Sequence, residues 1–405
     1  MSIAVFYNPA RKSSGEGASL SALGPEKAEE VRAFHKTFKE YAPTPLHDLT
    51  HLADAFGLGH ILVKDESRRF GLNAFKVLGG SYAIGNYLAE KLKRPISTLD
   101  REQLCSPEVQ KQVGNITFAT TTDGNHGRGV AWTARQLGQK AVVYMPRGSA
   151  QIRVDNIRAL GAECSVTDLN YDDSVRMTWN KAQKNGWVMV QDTAWSGYED
   201  IPTWIMQGYV TLAVEALEQM RSMGIQAPTH VFLQAGVGSF AGAVLGYLAA
   251  ALAPYMPTFI IVEPHKADCI YRSAATADGM PHSVKGDLDT LMAGLACGDP
   301  NTISWPILRD YAAAYISCPD YTAADGMRIL AAPLYGDSPV ISGESGAVTA
   351  GILQWIMQSE DGTHAREKLG LNRQSSVLLI STEGDTSPST YRDIVWFGKY
   401  GRWSR

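Results

Sequence analysis

The stretch Arg69–Ala83, RFGLNAFKVLGGSYA, sets one lysine, Lys76, in an apolar run with glycines on both sides. An apolar surround penalises the ammonium and favours the neutral amine, a nucleophile and base able to form a Schiff base with a carbonyl. The plainer reading of the same residues is a lysine on the solvent face of a helix. A second stretch, GVGSFAG at 236–242, joins a strand pattern to a helix pattern. There Gly236, Val237, Gly238 and Ser239 would bring backbone N–H groups and a helix N-terminus to an anion such as a phosphate. Ala241 departs from the dinucleotide pattern GxGxxG, and GxxxxGK[ST] is absent. The loop therefore fits either a phosphate cradle or a turn that close packing requires.

A third stretch, TTDGNHGRG at 121–129, gathers Asp123, Asn125 and His126 at another strand-to-helix junction. Parallel sheets bind ligands at such edges. An Asx-type turn capping the next helix accounts for Asp123 or Asn125 but not for the whole group. His126 reads as a shaping residue more than a base. SGESGA at 342–347 and STEGDTS at 381–387 are further polar turns. HExxH, a DxDxDG calcium loop and the nucleophile elbow GxSxG are all absent, and no histidines form a ligand pair. An imine-forming lysine and a phosphate loop are the two grips a protein needs on pyridoxal phosphate, whose ring then serves as electron sink.

The elements that must position these residues alternate. Strand patterns occur at HILVKDES (60–67), ITFATT, KAVVYMPR, AECSVTD, WVMVQDTAW, THVFLQA, TFIIVEP and SSVLLISTEG (375–384). Helical patterns lie between them: PEKAEEVRAFHKTFKEY, one beginning near Gly80, one after Asn125, SAQIRVDNIRALG, DDSVRMTWNKAQKNG, about Trp204 to Met223, and FAGAVLGYLAAALA. This alternation predicts βαβ units around parallel sheets. The tract 265–340 carries no regular pattern.

A chain of 405 residues is long enough for two domains. Its net charge of −4, with acids and bases interspersed, gives no basic block for nucleic acid. Five scattered cysteines without a CxxC fit free thiols in a reducing compartment. No signal-peptide layout opens the sequence, and its most apolar segment, about 240–252, is too short for a bilayer, so a cytoplasmic protein without membrane partners is expected.

NAFKVLGG resembles the lysine motif of the fold type II pyridoxal-phosphate enzymes, the group containing serine/threonine dehydratases and tryptophan synthase β. TTDGNHGRGVAW is similar to their asparagine loop and GVGSFAGA to their phosphate loop, in the same order along residues 40–390. KDESRRFGLNAFKVLGG, TTDGNHGRG and DTAWSGYEDIP place the resemblance nearest the branch that eliminates ammonia from 2,3-diaminopropionate. The resemblance implies two open, twisted, mostly parallel sheets flanked by helices. It implies a large domain from 1–85 and 206–405, a smaller one at 86–205, and a homodimer.

It also implies roles. Lys76 would hold pyridoxal 5'-phosphate covalently and move protons. Asn125 would bond the phenolic oxygen, Gly236, Val237, Gly238 and Ser239 the phosphate, and Thr382 the pyridine nitrogen. Asp123 and Asp192 would serve as acid–base groups on opposite faces, so that both D and L substrates react; Asp123 could instead anchor the substrate. Tyr198 and Glu199 are alternatives to Asp192. The expected reaction on this small amino-acid substrate is α,β-elimination to pyruvate and two ammonia. A serine/threonine dehydratase, a β-replacement synthase and a ligand-binding α/β protein without catalysis are the competing readings.

Overall fold

A computed structural model describes residues 2–401. Eleven strands form two sheets. They are β1 (Ala4–Tyr7), β2 (Leu46–Asp48), β3 (His60–Asp65), β4 (Thr117–Thr121), β5 (Lys140–Met145) and β6 (Glu163–Val166), followed by β7 (Val188–Met189), β8 (His230–Gln234), β9 (Thr258–Pro264), β10 (Ala314–Cys318) and β11 (Ser376–Ser381). The larger sheet has the order β1-β10-β9-β8-β11-β3-β2, parallel throughout its centre, with antiparallel β1 and β2 at the edges. The smaller sheet, β6-β5-β4-β7, is wholly parallel and lies within residues 117–189.

The central strands are apolar on both faces because helices cover both. Val377 and Leu379 of β11 enter one core, and Leu378 and Ile380 enter the other. Ile61 and Val63 of β3 and Phe232 of β8 divide from Leu62, Val231 and Leu233 in the same way. Burial on both faces explains why these strands read as continuous apolar runs.

Several sequence expectations change in detail. The helix expected near Gly80 spans Val77–Lys91, so Lys76 is its N-cap and belongs to the helix entry. The helix expected from Trp204 spans Asp200–Ser222, and the helix at 25–41 ends at His35. Of WVMVQDTAW only Val188 and Met189 join the sheet; the residues after them leave it as a largely buried loop carrying Asp192. The tract 265–340 contains the helices Cys269–Thr276, Ser304–Tyr311 and Asp320–Ala331, together with β10.

A buried ionic cluster fixes the approach to Lys76. Arg69, fully buried, donates to Glu66 at 2.8 Å and Glu215 at 2.7 Å, and Lys64 donates to Glu215 at 2.8 Å. Burial alone would raise the Glu215 carboxyl; Arg69 and Lys64 hold it down at about 2. Beyond this cluster, the helix Asn125–Gln136 lies against the start of the Lys76 helix at Gly129. A Cβ there would meet Val77 Cα at 2.8 Å and Val77 N at 2.9 Å. Only a residue without a side chain lets the two backbones approach this closely.

Among the described residues no helix is long and apolar enough to cross a membrane. Among them, too, no group of three or more His, Cys, Asp or Glu could hold a metal ion.

Candidate active site

The carboxyl ends of β4, β8 and β11, the loop after β7 and the segment that leads from β3 to Lys76 converge on one cleft, about 710 Å³ of space including its open mouth. This is the edge at which parallel sheets place ligands. Lys76 enters it from the N-terminus of its helix, and the turn after β11 holds that entry. Phe75 N–H donates to the Thr382 carbonyl at 3.1 Å, Gly384 N–H to the Asn73 carbonyl at 3.1 Å, and Ala74 bridges to Glu383.

The Lys76 ammonium donates to Asp192 Oδ2 in a short contact and lies 5.5 Å from the Phe75 ring centroid and 5.9 Å from that of Tyr209. This revises the expectation of a neutral amine. Burial pulls the lysine down as the apolar run suggests, but the Asp192 carboxylate outweighs burial and holds it above its ordinary value. Burial would likewise raise Asp192; the Lys76 ammonium beside it outweighs burial and brings it to about 2. The sequence hid this pair because 116 residues separate its members.

His126 is buried, and its Nε2 donates to the Val190 carbonyl at 2.8 Å. Burial lowers its pKa, so the ring is neutral and Nδ1 carries a lone pair. Nδ1 has no hydrogen-bond partner and lies 3.9 Å from Asp192 Oδ2. The Asp192 carbonyl accepts a short hydrogen bond from Ser239 Oγ, which in turn accepts from Asn301 Nδ2 at 2.7 Å. The acid loop and the glycine loop are thereby joined.

The glycine loop runs from β8 into the helix Ser239–Ala251. Gly238 has φ +97°, the left-handed backbone that favours glycine, and turns the chain so that the first helical N–H groups face the cleft. Thr382 lines the cleft as well, its Oγ1 accepting from Gln234 Nε2 at 3.0 Å. Asn125 begins its helix and donates a short hydrogen bond to Glu383 Oε2.

Asp123 also lines the cleft, paired with Arg153 at 3.2 Å, and Arg153 reaches Glu344 at 2.8 Å. All nine residues proposed from the sequence, Lys76, Asp123, Asn125, Asp192, Gly236 to Ser239 and Thr382, line this one cleft. Tyr198 and Glu199 do not line it. The Tyr198 hydroxyl donates to the Met189 carbonyl at 3.0 Å, and Glu199 accepts from the Gly197 N–H.

Sequence reasoning missed Arg153, Glu344, Glu383 and Tyr171. The turns GESG and STEGD flagged two of them only as polar. Burial raises the Tyr171 phenol well above its usual range, with Asp192 adding to the shift. The cleft therefore offers an amine, three carboxyl groups on separate loops (Asp123, Asp192 and Glu383) and an anion-binding helix start.

The family model described as "Pyridoxal-phosphate dependent enzyme" matches residues 37–372. The diaminopropionate ammonia-lyase of Salmonella typhimurium (strain LT2) is 58% identical over 394 residues, covering 97% of this chain and 98% of its own. The crystal structure of holo diaminopropionate ammonia lyase from Escherichia coli superposes with a TM-score of 0.92 at 55% identity, covering 98% of each chain. A second structure of the Escherichia coli enzyme, in complex with an aminoacrylate-PLP azomethine reaction intermediate, gives a TM-score of 0.89 at 54% identity over 98% of each chain.

Proposed function

The chain belongs to the pyridoxal-phosphate-dependent enzymes, and from that premise we propose that it eliminates ammonia from 2,3-diaminopropionate, D and L, yielding pyruvate and a second ammonia. The observation that carries this reading is the pair of aspartates, Asp123 and Asp192, that line the cleft holding Lys76, one paired with Arg153 and the other with Lys76.

The residues fit the cofactor. An amine, a glycine turn at a helix start, an amide at Asn125 and a hydroxyl at Thr382 face one space. On this reading Lys76 is the covalent tether, the N–H groups from Gly236 to Ser239 hold the phosphate, Asn125 the phenolic oxygen and Thr382 the pyridine nitrogen. A neutral hydroxyl at that nitrogen leaves it largely unprotonated. Pyridoxal phosphate, when bound, supplies a sink for the electron pair left on the substrate's Cα.

The chain's own groups then handle protons. The Lys76 ammonium must lose a proton to solvent before its amine can bond to carbon, and Asp192, in contact with it, orients the side chain. Asp192 and Asp123 take the Cα proton from opposite faces, which is how one cleft serves both isomers. The β-nitrogen must leave as ammonia and not as an amide anion, so it departs carrying its proton. The released 2-aminoacrylate tautomerises and takes up water, giving pyruvate and the second ammonia.

We also assign residues 86–205 to a smaller domain, with 1–85 and 206–405 forming the larger. The four-stranded sheet falls within the first range and the seven-stranded sheet within the other two. A homodimer is the commonest closed assembly for such chains, and five free thiols suit the cytoplasm.

The test is the rate of pyruvate formation by the holoenzyme from each isomer of diaminopropionate, from serine and from threonine. Diaminopropionate is expected to react fastest. Faster turnover of serine or threonine overturns the substrate and leaves the cofactor chemistry standing.

A further inference from the structure

Three carboxyl groups and a single guanidinium meet on the wall between the inner cleft and a wider one, about 1410 Å³, that adjoins it. Arg153, 7% exposed, reaches Asp123 and Glu344. Glu383, 2% exposed, has only neutral donors: the Asn125 amide on Oε2 and the Ser345 N–H, 3.2 Å away, on Oε1. Asp123 and Glu383 line the inner cleft, and Asp123, Arg153 and Glu344 line the outer one.

Lys76 and Asp192 neutralise each other in direct contact. Among the buried groups of this wall one cation, Arg153, then stands against Asp123, Glu344 and Glu383, while the outer cleft's other cations, Arg147 and Lys399, are exposed. Burial, reinforced by Glu344 and Asp123 and opposed by Arg153, pushes Glu383 up to about 7. A buried wall short of positive charge is costly, and a ligand that brings a cation relieves the cost. His126 Nδ1, buried and without a partner, lines the same cleft as an acceptor. The spare capacity around the cleft is thus for accepting N–H groups, which suits an ammonium and gives a neutral hydroxyl no charge to offset.

We propose that Glu383 and Asp123 receive the second ammonium of a diamino acid, with Glu344 adding negative charge behind them through Arg153, and so set the preference for diamino acids over serine and threonine. The inference rests on the elimination reading above and deepens it. Arg153 is the positioning residue, holding Asp123 and Glu344 at one spacing.

The test uses the holoenzyme and two ligands that lack a β leaving group, 2,4-diaminobutyrate and 2-aminobutyrate, each read as a competitive inhibitor. The unaltered enzyme should bind the diamino ligand about tenfold or more tightly. It should also release protons on binding that ligand, measured calorimetrically in two buffers of different ionisation heat. Glu383→Gln should shrink the affinity ratio by about tenfold and abolish the proton release. Glu344→Gln should shrink the ratio while keeping a hydrogen bond from Arg153, and it decides the matter if the first variant does not fold. A ratio that survives in the folded variants, or ligands weakened by one common factor, overturns the acid wall. Absence of pyruvate from diaminopropionate in the unaltered enzyme overturns the elimination reading instead.

Discussion

Lys76 and Asp192 define the chemistry at the scale of single residues, because each sets the other's charge. With Asp192→Asn the largest influence opposing burial is lost, Tyr209 and Asp123 remain, and the lysine pKa falls. The same pair bears on stability when the lysine is free. Asp192 moves from an ordinary 3.8 to about 2 on folding, so its contribution is complete above 3.8 and drains away as pH falls toward 2. Urea midpoints of the cofactor-free protein across that acid range should fall steeply, and Asp192→Asn should flatten the fall. In turnover, Asp192→Asn and Asp123→Asn should each cost about 100-fold or more on one isomer of diaminopropionate, and on opposite isomers. Rates of pyruvate release from the separate isomers measure this; equal losses on both isomers in both variants would remove the two-face assignment.

At the scale of elements, the decisive contact is where the Asn125–Gln136 helix meets the entry to the Lys76 helix. Gly129→Ala places a methyl against Val77 backbone, which cannot rotate away as a side chain could. Such overpacking should cost about 1–3 kcal/mol, seen as a lower melting temperature, and should weaken cofactor retention because Lys76 is displaced. The third glycine of TTDGNHGRG is thus a packing residue, while Asn125 in the same motif faces the cleft. The central strands were legible because both faces of each are buried and leave continuous apolar runs. Edge strands β1 and β2 were not, since three or four half-buried residues carry no period. β10 was lost in a tract whose prolines and glycines belong to the loops around it. Lys76, the glycine loop and Asp123 were legible because each sits in a local turn with its own chemistry. Arg153, Glu344 and Glu383 come from three distant segments, and only the fold makes them neighbours.

The whole molecule holds its cleft between loops of both sheets: β3, β8 and β11 from the seven-stranded sheet, β4 and β7 from the four-stranded one. A cofactor gripped by loops of both ties the two halves together. At 100 times its dissociation constant, bound cofactor stabilises by about 2.7 kcal/mol, and so should raise the melting temperature of a chain this long by about 3 °C. Scanning calorimetry of the protein before and after cofactor removal reads this directly, and unchanged melting would place the cofactor outside the junction. Everything in the account depends on one amine among many. Reducing the holoenzyme with borohydride, digesting it and mapping the modified peptide by mass spectrometry locates that amine. The pyridoxyl-phosphate mass should appear on Lys76 alone; a label on the buried Lys64, on any other lysine, or on none would contradict the account.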